Sequence, residues 1–157
     1  MKVNHAGEHG AVCIYSAQIQ VSRVLWPSAV KDLVEFRSHE LRHRSIFQAE
    51  LLRRGRPRCR SYWLCGIGGY TLGFFTACCG KTAIAATTAA VETVVLRHLE
   101  SQLAALGTSD PMATVAIRAI ADDERQHQQV SAAAAGSGLW YKVLTPLVAA
   151  STEAVWS

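Results

Sequence analysis

Two Glu-x-x-His units carry the residue types from which a metal site can be built. They are Glu40 with His43 and Glu124 with His127. Residues three apart on a helix lie on nearly the same face, so each unit can offer a carboxylate and an imidazole to one metal ion. A single unit of this kind is weak evidence, because Glu and His are common on the surfaces of amphipathic helices. The metal interpretation therefore depends on the spacing of further carboxylates.

That spacing is repeated. Glu8 precedes Glu40 by 32 residues, and Glu92 precedes Glu124 by the same 32 residues. A glutamine follows each leading Glu by ten residues and a proline follows it by nineteen. The pattern predicts two helical hairpins, in which a first helix carries Glu and the returning helix carries Glu-x-x-His at the same depth.

Packing the two hairpins about a pseudo-two-fold axis would bring four carboxylates and two imidazoles together in the interior of a helical bundle. Each buried carboxylate without a partner costs several kcal/mol, and two divalent cations would remove that cost. Di-iron and di-manganese carboxylate bundles use this ligand set, and mixed carboxylate and imidazole ligation suits iron or manganese. The predicted metal ligands are Glu8, Glu40, His43, Glu92, Glu124 and His127. The alternative is a set of exposed Glu and His side chains on amphipathic helices.

The elements that must position these ligands are helical. Half of the 157 residues are hydrophobic and 18% are charged, which excludes disorder and is enough for one domain. Alternating strand patterns are absent. The expected fold is all-α, a ferritin-like four-helix bundle with two additional apolar helices at a membrane surface. Ligand hairpins are expected at about 5–54 and 83–135, an apolar crossover at 61–80 and a C-terminal apolar helix at 139–156.

Local signals set the expected ends of these helices. The first apolar stretch covers 11–25 and stops at Trp26-Pro27, and the second runs from 28 to a stop at Gly55. Asp110 is expected to cap the helix that begins at Pro111 and runs to a stop at Gly136. Another helix is expected over about 83–106, and Pro146 interrupts the final apolar stretch.

The segment 61–80 carries no charge and is long enough to span a bilayer. Its glycines, hydroxyl residues and cysteines dilute its hydrophobicity, which favours a buried or membrane-surface helix over a span. Five arginines at 53–60 precede it. They form either a solvated loop or a contact with anionic lipid head groups beside an apolar helix.

Charge and cysteine usage narrow the class of protein. The net charge of +4 is too small to predict nucleic-acid binding without clustering. Five cysteines, an odd number without a Cys-x-x-Cys pair, predict a reducing compartment, and no leader peptide is visible at the start of the chain. Gly66-Ile67-Gly68-Gly69 lacks the spacing of a nucleotide-binding fingerprint. Reducing equivalents would then come from a partner protein, from NADH directly or through the substrate itself.

Several short stretches together resemble the demethoxyubiquinone hydroxylase family. The similarity extends from residue 3 to about 130, covers all six ligand positions and includes Tyr15. It implies a membrane-bound di-iron monooxygenase that uses O2 to hydroxylate the ring of a polyprenylated quinol in ubiquinone synthesis. This sequence departs from the family pattern at Asn4, His9 and Leu99. The stretches that carry the resemblance are Asn4 to Glu8, Glu40 with His43, Ala90 to Glu92 with His98 and Gln102, and Asp123 to His127.

The resemblance also implies roles. Glu40 and Glu124 would bridge two irons, with Glu8 and His43 completing one iron and Glu92 and His127 the other. Three further catalytic candidates follow. Tyr15 is either a hydrogen-bond partner near the site or a core aromatic. Asp123 would orient an imidazole or lie on the surface, and His98 is recommended by the resemblance alone. His5, His9 and His39 are not expected to be obligatory ligands.

The expected partners are a polyprenyl quinone or quinol lipid, a membrane surface and other ubiquinone-biosynthesis proteins, with a homo-oligomer also open and nucleic acid not expected. The expected location is peripheral, at the cytoplasmic face of a bacterial inner membrane or the matrix side of the mitochondrial inner membrane. Two alternatives share the fold. One is a ferroxidase or peroxide scavenger of the ferritin or rubrerythrin type, and the other is a di-iron tRNA hydroxylase, which the arginines at 53–60 allow.

Overall fold

The computed structural model describes residues 1–107 and 109–156, and side chains up to residue 150 apart from 108. Within these ranges the regular structure is entirely helical, so the all-α prediction is confirmed and agrees with a ferritin-like helical fold. The elements are α1 (Lys2–Leu25), a 3-10 turn (Pro27–Ala29), α2 (Val30–Arg53), α3 (Tyr62–Cys79), α4 (Lys81–Leu106), α5 (Pro111–Ala135) and α6 (Leu139–Trp156).

Helix α1 begins at Lys2, three residues before the predicted hairpin at about 5–54 and nine residues before the apolar stretch at 11–25. The residues in between are unusual for a buried helix, because His5 and Glu8 are polar and Gly7 and Gly10 are poor helix formers. Nevertheless His5, Glu8 and Gly10 are buried. A helix that buries polar side chains does not show the apolar periodicity from which its start could be predicted.

The predicted ends of α2 and α5 are largely confirmed. The Asp110 carboxylate accepts a hydrogen bond from the Ala113 backbone N–H at 3.1 Å, which caps α5. Gly55 and Gly136 follow α2 and α5 with φ of +59° each, a left-handed conformation that glycine adopts without strain. At its other end, α2 starts at Val30 because the residues after Trp26 first form a 3-10 turn.

Helix α6 is continuous through Pro146, so the expected interruption does not occur. A proline inside a helix removes one backbone hydrogen bond and leaves the carbonyl four residues earlier without its donor. Here Pro146 and Lys142 are both exposed, so water can reach that carbonyl. Within the described residues, no helix combines the length and the apolar character that crossing a bilayer requires.

The chain divides into two compact units, Met1–Ile84 and Ala85–Ala154. In the first unit, α1 packs against α2 and α3. The Trp26 indole N–H donates to the Ala77 carbonyl at 2.9 Å, and the buried Gln18 amide donates to the Thr76 hydroxyl at 3.2 Å. Both contacts join α1, or the turn after it, to α3. The apolar core of this unit consists of Ala11, Tyr15, Ile19, Leu33, Ala77 and Ile84.

Helix α3 approaches α1 closely through a face of small residues. Gly66, Gly69 and Gly73 are buried, and a Cβ on Gly69 or Gly73 would clash with the α1 backbone at Gly10 or Ile14. The opposite face of α3 is apolar and exposed. Its most exposed members include Trp63, Leu64, Ile67 and Phe75, which are 62–71% exposed.

In the second unit, α4 and α5 bury aliphatic side chains such as Val94, Ile117 and Ile120. On the surface, the Arg125 guanidinium donates to the Glu100 carboxylate at 3.2 Å and so connects α5 to α4. Helix α6 buries Leu144 and Val148, four residues apart, which gives it one inward-facing stripe.

Candidate metal centre

The first unit gathers one carboxylate from α1 and the Glu-x-x-His of α2. Donor atoms of Glu8, Glu40 and His43 all lie within 4.8 Å of one another. His43 Nδ1 is 3.7 Å from Glu40 Oε2, and both side chains are at most 1% exposed. Glu8 is also buried, at 5% exposure. The packing of α1 on α2 therefore produces the three-residue cluster that the repeat predicts for the first hairpin.

The second unit repeats this arrangement with α4 and α5. Donor atoms of Glu92, Glu124 and His127 lie within 4.8 Å of one another. His127 Nδ1 is 3.4 Å from Glu124 Oε2. All three side chains are buried. Each unit thus holds two carboxylates and one imidazole in the interior.

The donor chemistry of each cluster fits a divalent transition metal. Two carboxylates together carry two negative charges, which one divalent cation neutralises, and the imidazole supplies a nitrogen donor. Oxygen and nitrogen donors without a thiolate suit iron or manganese better than a zinc-finger type of site. Burial of this much charge is otherwise unfavourable. The assignment of individual residues as ligands stays a prediction.

Comparison with known proteins identifies the family. The whole chain, residues 1–157, matches the family described as Ubiquinone biosynthesis protein COQ7. The chain belongs to this COQ7 family. The family resemblance drawn from the sequence motifs is therefore confirmed.

Individual COQ7-family relatives carry consistent names. A Dictyostelium discoideum protein named NADPH-dependent 3-demethoxyubiquinone 3-hydroxylase, mitochondrial, is 34% identical over 99% of this chain and 73% of its own length. A Rhodospirillum rubrum protein named 3-demethoxyubiquinol 3-hydroxylase is 30% identical over 99% of this chain and 74% of its own. A Saccharomyces cerevisiae protein named 5-demethoxyubiquinone hydroxylase, mitochondrial, is 32% identical over 81% of this chain and 61% of its own.

The other candidates of this COQ7 chain lie in different environments. Tyr15 is 1% exposed, belongs to the apolar core of the first unit and meets the Phe36 ring edge-on at 5.9 Å. This environment agrees with the core-aromatic alternative. His98 on α4 and Asp123 on α5 are half-buried. Catalytic roles for these three residues stay predictions.

A cluster of imidazole and phenol rings at the start of α3 was not predicted from the sequence. The His9 ring stacks on Tyr62, with centroids 4.0 Å apart, and the His5 ring lies 5.0 Å from the same phenol. Arg44 Nη1 lies 3.3 Å from His9 Nδ1, and the Arg58 guanidinium lies 5.1 Å from the Tyr62 ring centre. The spacing of His5 and His9, four residues apart on one helix face, was the available signal.

The electrostatics of this cluster favour neutral imidazoles. Burial lowers the pKa of His5, and the positive charges of Arg58 and Arg44 lower it further. Burial is also the main cause of the lowered pKa of His9, followed by Arg44 and Arg58. Both shifts favour the uncharged form of the two imidazoles.

Proposed function

We propose that this protein is a di-iron monooxygenase that hydroxylates the ring of a demethoxyubiquinol-type lipid. The observation that carries the proposal is the pair of buried Glu-Glu-His clusters, one in each compact unit. Membership of the COQ7 family and the names of its relatives support the same reaction and substrate class.

In this proposal the two clusters together hold two irons. Glu40 and Glu124, the carboxylates of the two Glu-x-x-His units, would be iron ligands in this proposal. Glu8 with His43 and Glu92 with His127 would complete the two ions. When bound, the irons supply the reductive activation of O2 that hydroxylation needs.

The protein's own residues would prepare the site in two ways. Burial of all six side chains excludes bulk water from the centre. His43 and His127 each direct Nδ1 toward the carboxylate of the same unit, at 3.7 and 3.4 Å. If Nδ1 binds the ion, the ring proton must lie on Nε2, and a nearby acceptor then fixes the orientation of the ring. Asp123, beside Glu124 in sequence, is our candidate for such a positioning role.

The substrate explains the exposed apolar surface of α3. A polyprenyl tail partitions into lipid. Contact between the enzyme and a membrane would therefore bring its site close to the substrate. Trp63, Leu64 and Phe75 are exposed on α3, and the arginines at 53–60 precede this helix. In the second unit, α6 exposes Leu139 and Leu147. We propose that both helices contact a membrane surface, of a bacterial inner membrane or a mitochondrial inner membrane, and admit the quinol there.

The source of electrons is a further part of the proposal. Several relatives are named NADPH-dependent. We propose a reduced nicotinamide nucleotide as the reductant, acting directly or through the quinone.

The deciding experiment is a single-turnover assay under labelled oxygen. The iron-loaded protein is mixed anaerobically with a short-chain demethoxyubiquinone and NADH or NADPH, then exposed to ¹⁸O2. We expect one labelled oxygen atom in the quinone ring by mass spectrometry. Glu124→Ala should abolish the product, whereas Glu100→Ala, an exposed residue on α4, should retain it. Iron oxidation or peroxide consumption without labelled quinone would instead support the ferroxidase alternative.

A further inference from the structure

Two arginines from separate parts of the first unit contact the stacked rings where α3 begins. Arg44 on α2 places Nη1 3.3 Å from Nδ1 of His9 on α1. Because a guanidinium only donates, Nδ1 is the acceptor, and this contact requires a neutral imidazole. The His9 ring stacks on Tyr62, with 4.0 Å between centroids. The Arg58 guanidinium lies 5.1 Å from the centre of the same phenol. Two stacked rings therefore connect the two guanidinium groups.

The positive charges of these arginines are not balanced by nearby carboxylates. Within the residues that the structure describes, no carboxylate lies at ion-pair distance from Arg44 or Arg58, whereas the neighbouring Arg53 is paired with Glu50. Arg44 is half-buried and Arg58 is exposed. A half-buried cation without a counter-charge is unfavourable, so an anion that reached Arg44 would be bound.

The interior of the ring cluster supplies no negative group either. His5 is 1% exposed, and neither of its ring nitrogens has a hydrogen-bond partner. Burial lowers the pKa of His5 and of His9, and the positive charges of Arg44 and Arg58 lower both values further. The two arginines thus act on the same pair of imidazoles, in agreement with the contacts.

The backbone at the start of α3 adds to this positive region. The N-cap residue Ser61 makes no side-chain hydrogen bond to the helix, and its hydroxyl lies instead 3.0 Å from Cys59 Sγ. The first N–H groups of an uncapped helix carry partial positive charge and favour a bound anion. Tyr62, which contacts Arg58, is the first residue of this helix.

We propose that Arg44, Arg58 and the start of α3 bind one phosphate group, and that this phosphate belongs to the head group of a phospholipid. A guanidinium matches the geometry of phosphate with two parallel N–H donors. The contact with His9 uses one nitrogen of Arg44 and leaves further N–H donors for the phosphate. Arg58 is exposed, so its guanidinium can turn toward the same anion.

A phospholipid is favoured over a free phosphate because apolar groups adjoin the basic ones. Trp63 meets the Tyr62 ring edge-on at 5.2 Å and is exposed, as is Leu64. A phospholipid offers both a phosphate and acyl chains to such a surface, and Trp favours the boundary between them. The choice of a lipid rests on the membrane contact in the proposed function, whereas the phosphate site does not.

Calorimetric titration of the full chain tests the site. Metal is first removed with a chelator, which is then desalted away, so that phosphate has no iron to bind. The probes are dihexanoyl phosphatidylglycerol, kept below its micelle concentration, and inorganic phosphate. We expect one phosphatidylglycerol per chain, and inorganic phosphate should displace it while binding more weakly. This readout does not depend on iron or on hydroxylation.

Four variants separate a defined site from general charge. Arg44→Gln and Arg58→Gln should each weaken binding of phosphatidylglycerol at least about tenfold, because each removes charge-assisted hydrogen bonds to the phosphate. The matched controls are Arg42→Gln on α2 and Arg56→Gln in the segment 53–60, which remove the same charge at exposed positions. Each control should change the dissociation constant less than about threefold. Circular dichroism should show the same helix content in all four variants.

Flotation with vesicles of phosphatidylcholine and phosphatidylglycerol distinguishes failure of the site from failure of the membrane contact. Unchanged phosphatidylglycerol binding in Arg44→Gln and Arg58→Gln would overturn the proposal, even if the wild type floats with the vesicles. A wild type that does not float, but binds phosphate in a manner that requires Arg44, would overturn the choice of a lipid. Tighter Arg44-dependent binding of hexaglutamate than of either phosphate probe would assign the surface to an acidic peptide and overturn the phosphate site.

Discussion

The imidazole of His9 and the phenol of Tyr62 lie face to face, with 2° between their planes. His9 is on α1 and Tyr62 is the first residue of α3, so the stack joins the two helices where the arginine-rich segment ends. Tyr62 also meets the rings of His5 and Trp63. The phenol is therefore the centre of an aromatic cluster that anchors the start of α3.

Loss of this ring should destabilise the first unit. Tyr62→Leu keeps most of the buried apolar area but removes the stacking, and each aromatic pair contributes about 1 kcal/mol beyond burial. We expect the free energy of unfolding, from chemical denaturation, to fall by about 1–2 kcal/mol on that basis. Tyr62→Phe retains the ring and should stay close to wild type. Equal losses for Leu and Phe would show that stacking is unimportant.

The glycine face of α3 provides a second prediction. Gly73→Ala places a methyl group against the backbone of Ile14, and such overpacking typically costs about 1–3 kcal/mol. Gly68→Ala is the matched control, because its Cβ meets nothing within 4 Å. Alanine is the better helix former, so Gly68→Ala should raise the melting temperature slightly. Similar effects at both positions would contradict the close packing of α1 and α3.

Metal content tests the two buried clusters directly. We expect close to two irons per chain after anaerobic loading and desalting, measured by elemental analysis. Glu92→Ala or Glu124→Ala should abolish occupancy of the pair, because each removes a buried oxygen donor. Glu35→Ala, at an exposed position on α2, should retain the wild-type content. Full iron content in Glu124→Ala would remove this residue from the proposed ligand set.

Membrane contact can be tested by flotation with liposomes that contain anionic lipid. Changing Arg54, Arg56 and Arg58 to Glu should weaken binding at least tenfold, since each basic residue near an anionic surface contributes about 1 kcal/mol. A variant with the same net charge, in which Arg23, Lys31 and Arg118 become Glu, should bind nearly as well as wild type. Equal weakening in both variants would indicate that only net charge matters.

The end of α2 provides a pH-dependent prediction. A hydrogen bond from the Arg53 side chain, with support from Arg54, lowers the pKa of Glu50 from 4.5 to about 2. A lowered pKa in the folded state means that this contribution to stability is complete above about pH 4.5 and is lost as the pH falls toward 2. Glu50→Gln should therefore lower the free energy of unfolding at pH 7 by at most about 1 kcal/mol, as usual for surface ion pairs.

Urea titrations of wild type and Glu50→Gln at pH 7, 4.5 and 3.5 would measure this contribution. The difference between the two proteins should be constant from pH 7 to about 5 and should shrink at pH 3.5. A difference that grows as the pH falls would contradict the assigned cause of the shift.

Helix ends that depend on a local signal could be predicted from the sequence. The Asp110 cap and the stop at Gly55 each depend on a few neighbouring residues, and both agree with the structure. The apolar stretch of α1 begins only at residue 11, because the buried polar residues His5 and Glu8 interrupt the apolar pattern before it. Contacts between distant segments were also missed: nothing near His9 in the sequence indicates that its ring meets Tyr62.

The structural role of the α3 glycines was not predicted from the sequence. Their number was interpreted only as dilution of hydrophobicity in segment 61–80. In the structure, Gly66, Gly69 and Gly73 form the face that contacts α1. Composition alone does not distinguish these two meanings, although the spacing of four and three residues is the repeat of one helix face.

This one-sided construction restricts how α3 can turn. A helix with large side chains all around its axis can roll against its neighbour and exchange one contact for another. Rolling α3 about its axis would instead drive Trp63 or Phe74 into the backbone of α1, since only the glycine face leaves room for that approach. The direction in which the aromatic residues of α3 point is consequently fixed by the buried glycines on its other face, which have no side chains. Replacing a buried glycine of α3 with a larger residue would therefore change the direction of this aromatic surface, and the helix itself would stay folded.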